Sequence, residues 1–74
     1  MTILEIAKLP NGGHRSQEGN FDRIPDGWAV VPEGMELKNL PFGDVTAQVI
    51  DGVLTVTEWS AGDVPKPFPS NYVN

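Results

Sequence analysis

The sequence has no cysteine and a single histidine, His14, among its 74 residues. The absence of cysteine excludes disulfide bonds, and one histidine leaves too few of the usual ligands for a structural zinc site. Small domains without such supports commonly gain stability from a partner surface. We therefore expect no metal and no cofactor, and a chain that completes its apolar burial against another protein.

Cations are also scarce, since five Lys and Arg residues stand against ten Asp and Glu residues and give a formal net charge of −5. Binding to nucleic acids or to anionic membranes requires clustered positive charge. No apolar run approaches the roughly 18 residues of a membrane span. Residues 1–8 show no basic stretch before an apolar run, so we expect no secretory signal. The sequence thus predicts neither nucleic-acid nor membrane partners.

No catalytic pattern is present either. His14 lies beside Arg15 in a Gly-rich segment, which is typical of a solvated loop. The chain offers no Ser-His-Asp or Cys-His set, no phosphate-binding Gly motif and no calcium loop. Its Asp residues are dispersed over separate turns, where Asp is common. We predict no catalytic, cofactor-binding or metal-binding residue, and hence a protein that is not an enzyme.

What the sequence does contain is a series of turn signals at short intervals. They include Asn11-Gly12-Gly13, Pro25-Asp26-Gly27, Pro32-Glu33-Gly34, Pro41-Phe42-Gly43, Asp51-Gly52 and Ala61-Gly62-Asp63. Gly and Pro this frequent leave no room for a helix of ordinary length. Short strands between such turns predict an all-β domain. We expect this domain over residues 1–64 and an extended Pro-rich tail over residues 65–74.

The strongest predicted element is a β-hairpin over residues 45–59. Its turn is Asp51-Gly52, which supplies the two positive-φ residues of a type I′ turn. A two-residue loop pairs residue 50 with residue 53 and residue 46 with residue 57. One face of the pair is then apolar and carries Val45, Ala47, Val49, Leu54 and Val56. The predicted fold class is therefore all-β, with a small antiparallel sheet built on this hairpin.

Other segments are predicted with less definition. Residues 27–31 predict a short strand, and residues 2–9 predict a strand, with two turns of helix as the alternative. Residues 11–23 are polar and Gly-rich and indicate a long loop. Residues 33–39 offer room for one helical turn, which Pro41 would end. The alternating prolines of residues 65–69 predict an extended chain outside the sheet.

Four aromatic residues are the candidates for a protein interface. Trp28 and Trp59 each lie beside a turn at a strand end, and they supply either core or a binding surface. Phe68 and Tyr72 lie in the Pro-rich tail, which is either disordered or docked on a neighbouring subunit. We expect open sheet edges as well, because so few short strands do not close a barrel.

Three blocks of the sequence carry a resemblance: residues 24–32 (IPDGWAVVP), 40–46 (LPFGDVT) and 50–59 (IDGVLTVTEW), with residues 9–17 (LPNGGHRSQ) upstream. Over about residues 3–65 the chain resembles small, uncharacterised proteins encoded by phages and prophages of Gram-positive gut bacteria. Genes for that group tend to lie near tail or virion structural genes. A Pro- and Glu-rich C-terminal stretch is common in the group, whereas here the tail carries Phe68 and Tyr72. The resemblance implies a phage setting and assigns no functional residue.

The expected function is therefore that of a non-enzymatic bacteriophage virion component, made in the host cytoplasm. It would be an accessory tail, baseplate or fibre protein, or a capsid decoration protein. Its partners would be other virion subunits or further copies of itself. The alternative is a small acidic inhibitor that binds a host defence or regulatory protein, although its acidic residues are scattered rather than arranged in rows.

Overall fold

The computed structural model describes residues 1–63, and it confirms an all-β fold. Its five strands are β1 (Thr2–Lys8), β2 (His14–Glu18), β3 (Trp28–Val31), β4 (Gly43–Ile50) and β5 (Val53–Ala61). They form one open sheet in the order β2-β1-β3-β5-β4. The sheet is mixed rather than wholly antiparallel, because β3 runs parallel to β5. Within residues 1–63 no helix is long and apolar enough to cross a membrane.

The predicted hairpin is formed by β4 and β5. Asp51 and Gly52 have φ angles of 52° and 79°, the positive values that a type I′ turn requires. The predicted register holds from the turn as far as the pair between Ala47 and Val56. The local turn chemistry therefore determines the pairing at this end of the hairpin.

A β-bulge changes the register beyond that point. Thr46 lies opposite Glu58, and the predicted partner Thr57 is the additional residue. Val45 consequently lies opposite Trp59, so both side chains point to the same face of the sheet. Without the bulge, alternation along β5 would direct Trp59 to the other face.

The N-terminal half contains one expected strand and one unexpected strand. Residues 2–8 form β1, so the strand prediction is confirmed and the helical alternative does not apply. The predicted loop over residues 11–23 is wrong for residues 14–18, which form β2 and pair antiparallel with β1. Four of the five β2 residues are exposed, so this strand lacks the alternation that reveals strands in a sequence.

One face of the sheet carries the core. Leu4, Ala29, Val31 and Val56 are buried together there. Residues 32–42, the cover segment, contain no helix, so the predicted helical turn over residues 33–39 is wrong. Partly buried side chains pack against the core from the cover segment and from the strands: Ile6, Met35, Leu37, Leu40, Val45, Ala47, Leu54 and Trp59.

The sheet curls so that its two edges approach each other at one end. The bridge between Gly13 and Phe42 joins the start of β2 to the start of β4, and the His14 N–H donates to the Pro41 carbonyl at 2.8 Å. At the same end, Lys8 Nζ lies 2.7 Å from Asp44 Oδ1. We call this set of contacts the clasp. The sheet is therefore clasped at the beginning of β4 and open at the hairpin turn.

Candidate protein-binding surface

The clasped end of the sheet is built around His14. The prediction of a solvated loop residue is wrong, because His14 begins β2 and its side chain is 2% exposed. Its Nδ1 lies 2.8 Å from the Glu5 carbonyl oxygen, which only accepts, so Nδ1 carries the proton. Its Nε2 is buried without a hydrogen-bond partner. In residues 1–63, no group of three or more potential ligands is placed to hold a metal ion.

Trp59 lies against the core rather than on a free surface. Its indole Nε1 donates to the Lys38 carbonyl at 2.9 Å, and its ring meets the His14 ring edge-on with centroids 5.9 Å apart. Gly43 provides the space for that ring, because a Cβ on Gly43 would contact it. Trp59 thus ties the cover segment to β5, which corresponds to the core alternative that the sequence left open.

Trp28 has a different setting, at the start of β3 and half-buried. Because β3 runs parallel to β5, its first residue lies beside the beginning of β5, next to the hairpin turn. Residues 22–28 and the turn region of the hairpin enclose a groove of about 490 Å³ between them. We call this the tip groove. Its apolar lining consists of Ile24, Pro25, Trp28, Val49, Val53 and Leu54, with Asp22, Arg23 and Asp26 adding charged groups.

The hairpin end next to the groove is strongly apolar for an exposed surface. Val49, Ile50 and Val53 are 70%, 45% and 41% exposed. The sequence placed Val49 on the half-buried face, but that residue lies at the open end of the hairpin, outside the core cluster. A cluster of branched apolar side chains in water is unfavourable unless a partner covers it.

The outer edge of β4 is the second available surface. β4 is eight residues long and, within the described part of the chain, has β5 as its only strand neighbour. Its outward N–H and C=O groups therefore remain open to another strand. The clasp occupies this edge only at its beginning, through Phe42. β4 contains no Lys, Arg or Pro, the residues with which proteins commonly block such edges.

Electrostatic contacts in the described residues are concentrated away from the tip groove. Lys8 donates a hydrogen bond to Asp44 and, by that bond first and by its charge second, lowers the pKa of the Asp44 carboxyl. Arg15 Nε, on β2, lies 3.8 Å from Glu5 Oε1, on β1. The first pair belongs to the clasp and the second joins β1 to β2. Within residues 1–63, neither pair involves a residue at the turn end of the hairpin.

The structure therefore separates the four aromatic candidates. Trp28 lines the tip groove, Trp59 packs against the core, and Phe68 and Tyr72 lie outside the described residues. Sequence reasoning assigned Val49 to the half-buried face, and although it placed Ile50 and Val53 at the turn end of the other face, it did not single out these three residues as an exposed apolar surface. The available signal was that the residues on both sides of Asp51-Gly52 are apolar, at a turn where solvent exposure is expected.

Comparison with known proteins yields no relative from which a function could be transferred. No protein-family model, no curated protein and no solved structure matches the chain.

Proposed function

We propose that this protein is a non-enzymatic, protein-binding component of a bacteriophage virion. It acts as an accessory tail, baseplate or fibre protein, or as a capsid decoration protein, by binding neighbouring subunits. The observation that carries the binding role is the outer edge of β4, which no other strand of residues 1–63 covers and which ends at the exposed apolar residues Val49 and Ile50. The virion setting comes from the sequence resemblance alone.

The binding mode that fits this geometry is strand addition. An extended segment of a partner pairs with the outer backbone groups of β4, and its side chains reach the apolar hairpin end. Main-chain hydrogen bonds supply affinity, while burial of Val49, Ile50 and Val53 supplies further stabilisation at about 25 cal/mol per Å². Backbone hydrogen bonds and apolar burial are sufficient for a subunit whose role is only to bind its neighbours.

Mass spectrometry of purified particles tests the proposal. The expected result is that the protein is present in particles at a fixed ratio to a major structural protein. Ile50→Lys places a charge at the apolar end of β4 and is expected to reduce incorporation. Gln17→Lys, on the exposed part of β2, is the matched control and is expected to leave it unchanged.

Two results would contradict the proposal. The first is a stable monomer that is absent from purified particles, and the second is equal incorporation of both variants. Recovery of one host nuclease or polymerase with the protein, in place of virion proteins, would favour the acidic inhibitor instead. The ten acidic residues do not argue for that role, because no strand carries more than one of them (Glu5, Glu18, Asp44 and Glu58), so the strands present no acidic row.

A further inference from the structure

We propose that the tip groove binds the C-terminal segment, residues 64–74, of a second copy of this chain. This inference rests on the proposed function, because it identifies a second copy of the chain as one of the subunits that the protein binds. Each copy would insert its C-terminal segment into the groove of the next, so the contact is head-to-tail. Such contacts close into rings or continue as filaments, depending on the rotation between copies.

The first argument is the match between the groove and the segment. The groove is largely apolar, and Trp28 lines it together with Pro25 and Ile24. Aromatic-lined grooves are the recognised binding sites of Pro-rich extended segments, because such segments lose little conformational freedom on binding. Residues 64–74 carry three prolines and two aromatic residues, Phe68 and Tyr72, and are the only such segment in the sequence.

The second argument is charge. Every Asp and Glu of the sequence lies within residues 1–63, whereas residues 64–74 contain Lys66 and no acidic side chain. Asp22 and Asp26 line the groove beside a single cation, Arg23. The one charged side chain of this segment is therefore a cation that meets a net acidic rim, and attraction between unlike charges favours this pairing over pairing between two acidic surfaces.

The third argument compares the distance from Gly62 to the groove with the length of chain that follows Gly62. This comparison favours the segment of a second copy over the segment of the same chain. Gly62 is held at the clasped end, where its N–H donates to the Phe42 carbonyl. Val53, in the groove, is nine strand residues from Gly62, a separation of up to about 30 Å. Phe68 is six residues beyond Gly62 and extends at most about 21 Å from it, so Phe68 of the same chain stops short of the groove, whereas Tyr72, ten residues beyond Gly62, spans about 35 Å only when the chain is fully extended. A second copy imposes no such limit.

Sedimentation velocity of the full-length protein over a range of concentrations tests the proposal. The wild type is expected to associate as its concentration rises, either into a closed ring of two or more copies or into longer filaments. Val49→Asp in the groove and Phe68→Ala/Tyr72→Ala in the segment are each expected to weaken association by roughly ten-fold or more. Gln17→Asp adds the same charge on β2 and is expected to associate as the wild type does.

Mixing the two defective variants gives the decisive measurement. An intact segment on the Val49→Asp chain fits the intact groove of the Phe68→Ala/Tyr72→Ala chain, so an equimolar mixture is expected to give a one-to-one dimer and nothing larger. Circular dichroism of each variant confirms folding, and Val53→Asp replaces Val49→Asp if the latter unfolds. Both residues are substantially exposed, so either substitution is compatible with the core.

Three outcomes would overturn the proposal. They are a mixture that remains monomeric, variants that associate as the wild type does, and a monomeric wild type in which the tail substitutions shift the NMR signals of the groove, which would show binding within one chain. None of them bears on strand addition at β4. Incorporation into particles that depends on Ile50 but not on Phe68 and Tyr72 would retain the proposed function alone.

Discussion

At the scale of single residues, Gly43 is the position with the least tolerance for change. An added Cβ would lie 2.7 Å from the Ser60 carbonyl oxygen and 2.8 Å from Trp59 Cε2. The carbonyl belongs to the paired backbone of β5 and cannot move without breaking the ladder. Gly43 is therefore required by the close approach of β4 to the indole ring, and its φ angle is an ordinary one.

We expect Gly43→Ala to destabilise the protein by about 1–3 kcal/mol, the usual cost of forcing additional volume into a packed site. Urea denaturation at 25 °C measures the change. Gly19→Ala is the control, because its nearest atom would be Phe21 Cζ at an ordinary 3.6 Å. Equal stabilities of the two variants would contradict the tight packing of Trp59 against β4.

The ion pair between Lys8 and Asp44 gives a prediction that depends on pH. Lys8 lowers the pKa of Asp44 below its usual value of about 3.9. A carboxyl with a lowered pKa in the folded state stabilises the protein above its unfolded pKa, and this contribution is lost as the pH falls through the folded value. Lys8→Met should therefore raise the pKa of Asp44 towards the usual value.

An NMR titration of the Asp44 side-chain carboxyl between pH 2 and pH 6 (roughly the range around an Asp pKa) measures that change. The stability difference between the wild type and Lys8→Met should shrink as the pH falls below the usual value. An Asp44 titration that is identical in both proteins would show that the pair is absent in solution.

At the scale of elements, the hairpin is the part that the sequence specifies best. The Asp51-Gly52 turn and its first four pairs follow from local chemistry, because the turn geometry depends on adjacent residues and requires no distant contact. The bulge at Thr57 did not follow, since the benefit of turning Trp59 inward arises only when the cover segment is in place. That benefit comes from tertiary contacts, so no residue near Thr57 in the sequence indicates the bulge.

We expect Gly52→Ala to destabilise the protein by about 1–2 kcal/mol, because φ is +79° and an L-residue is strained there. No atom lies within 4 Å of the added Cβ, so the cost would come from the backbone and not from a clash. Asp51→Asn is the control, since Asn tolerates positive φ equally well. Thermal unfolding of both variants measures the difference, and a neutral Gly52→Ala would argue against the type I′ turn.

β2 and His14 show where sequence reasoning failed. β2 is polar on both faces, so it lacks the periodicity by which a strand is recognised. It is a strand because the backbone N–H and C=O groups of β1 are available to pair with it. The burial of His14 depends on contact with Trp59, which is 45 positions away in the chain. The parallel pairing of β3 with β5 is likewise non-local. The groove beside Trp28 could not be predicted without that pairing.

At the scale of the whole molecule, the small core leaves a narrow stability margin. Four buried residues form the core cluster, and partly buried neighbours complete it. Domains of this size are stable by roughly 0.05–0.15 kcal/mol per residue. A single large change in the core therefore consumes most of the total, whereas changes at the hairpin end do not.

We expect Leu4→Ala to cost about 2–5 kcal/mol, and so to unfold a large part of the population at 37 °C. Val49→Ala is the control and should remain within about 0.5 kcal/mol of the wild type, because its side chain is largely exposed. Circular dichroism melting curves provide the comparison. A Leu4→Ala protein as stable as the wild type would mean that stability comes chiefly from elsewhere.

The clasp has one more consequence, for the length and direction of any added strand. Since Gly13 already bridges to Phe42, a strand that joins the outer edge of β4 must end before it reaches that bridge. It can pair with no more of this edge than β4 itself, Gly43–Ile50, and past Ile50 its free end points away from the clasp. The clasp thus limits the segment that a partner can pair with this edge to about the eight residues of β4.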